Sequence, residues 1–166
     1  EQARKVAGFL KDEKIDLCYS SDLVRASKTA EEILKFQKKA KLILDKRLRE
    51  QDKGIHEGKP FGESQKEIDR LGIEWHEYKP ENGESFDELL VRVRECFKEV
   101  AEKHVGKTCL IVTHGGCLSC LLCHINNEPL GQIRKYSHGN TGVTYLELGE
   151  DGKWNVVKLN CVGHLE

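Results

Sequence analysis

The 166-residue sequence predicts an α/β fold: a three-layer α/β/α sandwich on a mostly parallel sheet, edged by a C-terminal antiparallel hairpin. Three observations carry this expectation. Helix-period and strand-type segments alternate as far as residue 125, the order that βαβ connections require. The apolar run Cys109-Leu110-Ile111-Val112 empties through Thr113 and His114 into Gly115-Gly116, as a buried strand does on entering a glycine-rich turn. Two further apolar runs, Val143–Leu148 and Trp154–Cys161, flank Glu150-Asp151-Gly152-Lys153, a hairpin-type turn.

Taken in order, Ala3, Val6, Ala7 and Leu10 mark one face of an amphipathic helix, and Ile15-Asp16-Leu17-Cys18-Tyr19 follows as a strand. Ser20-Ser21-Asp22 are good helix-capping residues for a helix over 23–36, after which Lys41–Leu44 is a short strand. Residues 45–81 are irregular, with Gly54, Gly58, Gly62, Pro60 and Pro80 around one helix over 65–71; this stretch is expected to form a lid or wall beside a site. Ser85-Phe86-Asp87-Glu88 matches a capping box, and Phe86, Leu89, Leu90, Val93, Phe97, Val100 and Ala101 line one face of a long helix ending near His104. Residues 117–125 read as a buried helix, and Pro129 starts another short one. Repeats are absent, and residues 1–166 read as a single domain.

Composition narrows the function classes. With 27 basic and 28 acidic side chains and a net charge of -1, there is no basic stripe for nucleic acid and no polybasic tail for a membrane. No apolar run approaches the roughly 18 residues of a membrane span. The seven cysteines, several of them inside apolar patterns, read as reduced thiols of a cytoplasmic protein. Cys117, Cys120, Cys123 and His124 spell C-x-x-C-x-x-C-H, formally a haem or metal pattern, but structural zinc sites need a second ligand pair at a distance. No metal and no cofactor is expected. The chain has no methionine and opens at Glu1-Gln2 inside a helix-like pattern, which predicts further sequence upstream.

His114 is the first candidate for chemistry. A lone histidine at a strand end ordinarily satisfies local polar groups, but ligands in open α/β sheets bind beyond the carboxyl ends of strands, where His114 lies. Gly115 and Gly116 would let backbone amides approach an anion there. Arg25, in the first turn of the helix after the preceding strand, can offer a bidentate fork to a phosphoryl group at that same sheet edge. Its place at a helix N-terminus does not complement the dipole, which argues against a purely solvated role. Glu84, just before the capped helix, is either a dipole partner or a general acid.

Together these residues carry a resemblance. Tyr19-Ser20-Ser21-Asp22-Leu23-Val24-Arg25-Ala26, Arg47-Leu48-Arg49-Glu50 leading to His56-Glu57-Gly58-Lys59, Asn82-Gly83-Glu84-Ser85-Phe86, Thr113-His114-Gly115-Gly116 and Asn140-Thr141-Gly142 resemble the histidine phosphatase superfamily, with its phosphoglycerate-mutase-like fold, over nearly the whole chain. The resemblance implies catalytic roles for His114, Arg25 and Glu84, with Gly115, Asn140 and Lys59 contacting a small phosphorylated substrate. It implies a phosphatase working through a phosphohistidine, closest to the fructose-2,6-bisphosphatase branch, in a monomer or homodimer. A mutase-type transferase and a non-catalytic phosphate-binding or partner-binding module are the alternatives.

One part of the family pattern has no counterpart. The nucleophilic histidine of an Arg-His-Gly strand end matches no residue in the sequence. Either a βα element of about 25 to 35 residues precedes this sequence, or the polypeptide is inactive. A parallel sheet without its central strand leaves open edges, which favours the first.

Overall fold

The computed structural model describes residues 1–60 and 62–166. Helix α1 (Gln2–Phe9), strand β1 (Leu17–Ser20), helix α2 (Val24–Leu34) and strand β2 (Lys41–Leu44) come first. After an irregular stretch follow α3 (Gly62–Leu71), α4 (Phe86–Lys103), β3 (Cys109–Val112), α5 (Gly115–Ile125), β4 (Val143–Leu148) and β5 (Trp154–Cys161). A 3-10 helix over Leu130–Tyr136 takes the place of the short helix expected after Pro129.

β1 lies between β2 and β3 and runs parallel to both, so that Ser20 pairs with Leu44 on one side and Val112 on the other. Side chains alternate across β3 as strand geometry demands. Leu110 and Val112 pack with Val6, Ala7, Leu10 and Ile33 of α1 and α2. Cys109 and Ile111 face the other way, toward Cys96 and Val100 of α4 with Tyr19 and Leu48. This produces the three layers that the alternation of elements predicts.

The long helix α4 starts as expected. Ser85 Oγ accepts from the Glu88 amide at 3.2 Å while Glu88 Oε2 accepts from the Ser85 amide at 2.9 Å, a complete capping box. On its inner face Leu89 and Val93 meet Cys117, Cys120, Leu121 and Leu122 of α5. The three cysteines of the C-x-x-C-x-x-C-H pattern are thus small core residues, and burial pushes the Cys117 thiol up to about 11. No group of three or more metal-ligating side chains is found among the described residues, nor any helix long and apolar enough to cross a membrane.

Two differences from expectation bear on function. The hairpin does not edge the parallel sheet: β4 and β5 form a sheet of their own, and among the described residues β3 bonds only to β1 and β4 only to β5. Val143 of β4 nevertheless borders the same α1 and α2 cluster as Leu110 and Val112 of β3. Helix α5, expected from residue 117, starts at Gly115 with His114 as its N-cap. Glycine's weak helix propensity disguises this first turn, where amides have no intrahelical acceptor in any case.

Candidate active site

Parallel register builds the site. Because Ser20 stands opposite Val112, the residues leaving the two strands meet: the Ser21 amide donates to the Val112 carbonyl at 2.9 Å. His114 Nε2 lies 2.9 Å from Ser21 Oγ, and Arg25 Nε donates to His114 Nδ1 at 3.2 Å. Since Nδ1 accepts, the neutral ring carries its proton on Nε2 and donates to the serine. Burial first, and the Arg25 charge second, push the His114 pKa down to about 4. The two terminal nitrogens of Arg25 take no acceptor among the described residues and are free to fork onto an anion.

This arrangement sets a pH response. Between about 4 and 6.5 the unfolded chain binds a proton at residue 114 that the folded chain refuses, so stability rises with pH across that window and is lost as pH falls through it. Acidification from pH 7 to 4 is expected to remove on the order of 2 kcal/mol that a His114→Gln chain does not lose, after allowance for partial solvent exposure. Urea titrations of both proteins at the two pH values check this.

The segment after β2 supplies a carboxylate that the reading of the sequence passed over. Glu50 Oε2 accepts from the Gly116 amide at 3.1 Å, on the first turn of α5, and Oε1 accepts from the Gln51 amide at 2.9 Å. Its segment is held from several sides. Thr113 Oγ1 donates to the Leu48 carbonyl at 2.8 Å, and Cys117 Sγ to the Arg49 carbonyl at 2.8 Å. Arg49 grips Asp22 through two bonds of 2.6 Å, which tie it to the loop before Arg25. Gly116 leaves room for that carboxylate, because a Cβ there would sit 2.3 Å from Glu50 Oε1 and push it off the amide.

Glu84 is placed differently. Arg92, from the second turn of α4, takes both its oxygens, through Nε at 3.1 Å to each and Nη2 at 2.8 Å to Oε1. The same guanidinium donates to the carbonyls of Arg47 and Arg49 at 2.7 Å and of Glu50 at 3.0 Å. Glu84 therefore anchors the arginine that shapes the Glu50 segment. Asn140 is exposed in the turn before β4, and Lys59 is exposed on the irregular stretch; the His114 ring bonds instead to Arg25 and Ser21. In the sequence, Glu50 stands in the Arg47-Leu48-Arg49-Glu50 stretch that supports the resemblance, but only the fold shows it against Gly116.

Beyond Gly115 and Gly116 opens a cleft of about 390 Å³, large enough for an organic leaving group as well as a phosphoryl group. Its walls include Gln51, Lys53 and His56 from the irregular stretch, Trp75 and Tyr78 before α4, and Arg134 and His138 after α5. His56 is held there by Tyr78, whose hydroxyl is 2.8 Å from its Nε2 and 2.5 Å from Glu67 Oε2. The lid or wall expected over 45–81 is thus one side of the cleft.

A cation with free terminal N–H groups, a neutral imidazole and a helix N-terminus converging beside a carboxylate suit an α/β enzyme that handles a phosphoryl group. Residues 1–162 match the histidine phosphatase superfamily (branch 1), and the chain belongs to that family. It is 32% identical over 179 residues to phosphoglycerate mutase-like protein 4 of Arabidopsis thaliana, covering all of this chain and 74% of that protein. Fructose-2,6-bisphosphatase TIGAR of Xenopus tropicalis is 34% identical over 101 residues, 59% of this chain and 37% of its own length. The structure of Bacillus stearothermophilus YhfR superposes with a TM-score of 0.89 at 29% identity, over 99% of this chain and 83% of that one. Other relatives are named as phosphoserine and glucosyl-3-phosphoglycerate phosphatases.

Proposed function

We propose that this chain is the larger part of a phosphatase that hydrolyses small phosphate esters of the sugar-phosphate type, fructose 2,6-bisphosphate among them, through a phosphohistidine. The observation that carries it is the meeting of His114, Arg25 and Glu50 at the N-terminus of α5. Arg25 and the Gly115 amide hold the phosphoryl oxygens, the His114 N–H turning to them from Ser21 Oγ as substrate binds, and their positive field stabilises charge as it spreads in transfer. Glu50 rather than Glu84 is assigned to protonate the departing alkoxide, since Glu50 stands at the α5 N-terminus and is held by neutral backbone amides, whereas both Glu84 oxygens are held by the charged Arg92 guanidinium. Lys59 and Asn140 stay outside the set we assign.

The nucleophile in this reading is a histidine on a strand inserted between β3 and β4. Support comes from the edges of those strands, unpaired among the described residues, and from the apolar side chains they share around α1. The compact stretch before α4 supports transfer to water rather than to a second substrate, since the resemblance implies a longer insertion there in mutases. The buried, unpaired thiols suit a reducing cytoplasm, and a monomer or homodimer suffices for the chemistry.

The natural polypeptide should hydrolyse 4-nitrophenyl phosphate and yield a phosphoryl group trapped on a histidine by mass spectrometry. A His114→Ala variant is expected to lose about 10²- to 10³-fold in kcat/KM. Phosphate binding with no trapped phosphoryl group would instead support the non-catalytic alternative, and an unaltered rate in the variant would end the role given to His114.

A further inference from the structure

We propose that Arg134, laid on the indole of Trp75, is a subsite for a second anionic group on the substrate's alcohol, so that the preferred esters carry a carboxylate or a second phosphate on a leaving group with an apolar face. The inference rests on the reading of Gly115 and Gly116 as the phosphoryl end of the cleft.

The cleft that begins at those glycines also runs along Trp75 and Arg134. Its wall is of mixed character: Trp75, Phe86, Ile68 and Ile133 present apolar surface, while Lys53 and Arg134 bring positive charge, and no aspartate or glutamate lines it among the described residues. The Arg134 guanidinium stands 5.1 Å from the centre of the Trp75 ring, which is itself fixed edge-on to Phe86 at 5.0 Å. A guanidinium stacked on an indole keeps its N–H fork in one plane, so little rotamer freedom remains to be lost when a carboxylate or phosphate arrives. Arg134 makes no ion pair among the described residues, although its chain neighbour Lys135 is paired with Glu128. The reacting phosphoryl group is already served by Arg25 and α5, so this second cation is left for the far end of the substrate.

The test compares binding of phenylphosphonate and 4-carboxyphenylphosphonate, neither of which can be hydrolysed, by calorimetry at fixed ionic strength. The wild-type protein is expected to bind the carboxylated probe about tenfold more tightly, the low end for a charge-assisted hydrogen bond. Arg134→Gln should abolish that difference while leaving the phenylphosphonate affinity within about twofold, and Arg134→Lys should restore part of it. Equal affinities in the wild type, or a preference that survives Arg134→Gln, would overturn the proposal. If phenylphosphonate fails to bind, the phosphoryl reading is what fails. The subsite then stands on benzoate binding that Arg134→Gln removes, and falls if benzoate is not bound or is still bound by the variant.

Discussion

Arg92→Ala is expected to lower the unfolding free energy by about 3 kcal/mol, the cost of leaving a half-buried carboxylate and three carbonyls without their donor. The guanidinium joins Glu84, at the mouth of α4, to the backbone of Arg47, Arg49 and Glu50. Both side chains of the pair are largely covered, at 22% and 18% exposure, so the pair is poorly screened by solvent. Removing the arginine leaves the Glu84 charge uncompensated and frees the segment that carries Glu50. Urea denaturation of Arg92→Ala, Glu84→Gln and the double variant measures this. The double variant should be less impaired than the sum of the two, because the second substitution deletes the charge that the first one strands. Strict additivity would show that Arg92 acts only on the carbonyls, and that Glu84 is not its anchor.

That pair also shows where reading the sequence stops. Alternation of periods is a local property, so β1, β2, β3, α4 and the hairpin were legible within a residue or two, and His114 and Arg25 followed from their position at strand ends. Glu84 and Glu50 could not be separated in this way. Each is an acid beside a helix start in space, but Glu50 reaches α5 only because β2 lies next to β1 and delivers its chain across 66 residues to the Gly116 amide. A long-range bond of that kind leaves no periodicity. Glu84, just before a capped helix, reads as a dipole partner or a general acid, and the resemblance gives it the catalytic role; its partner Arg92 sits eight residues on, where a helical pattern reads it as a surface charge. The absence of a central strand was expected from the family pattern, whereas the separation of the hairpin from the sheet was not, since hydrophobic alternation says nothing about which edge a strand meets.

Glu50→Gln is expected to divide catalysis from binding. If Glu50 protonates the leaving oxygen, the amide should slow hydrolysis of an alkyl phosphate by about 10²- to 10³-fold. The loss should be smaller for 4-nitrophenyl phosphate, whose leaving group needs little help from an acid. Inorganic phosphate should meanwhile bind about tenfold more tightly, because the substitution removes a negative charge from beside the Gly116 amide at the N-terminus that attracts the anion. A carboxylate that merely orders α5 would behave otherwise. Its loss would weaken phosphate binding and slow both esters equally. Glu84→Gln provides the contrast: it should reduce stability through Arg92 and leave the ratio of the two ester rates where it was. A leaving-group dependence that appears in Glu84→Gln but not in Glu50→Gln would return the acid to Glu84, and would require Arg92 to release it in the substrate complex.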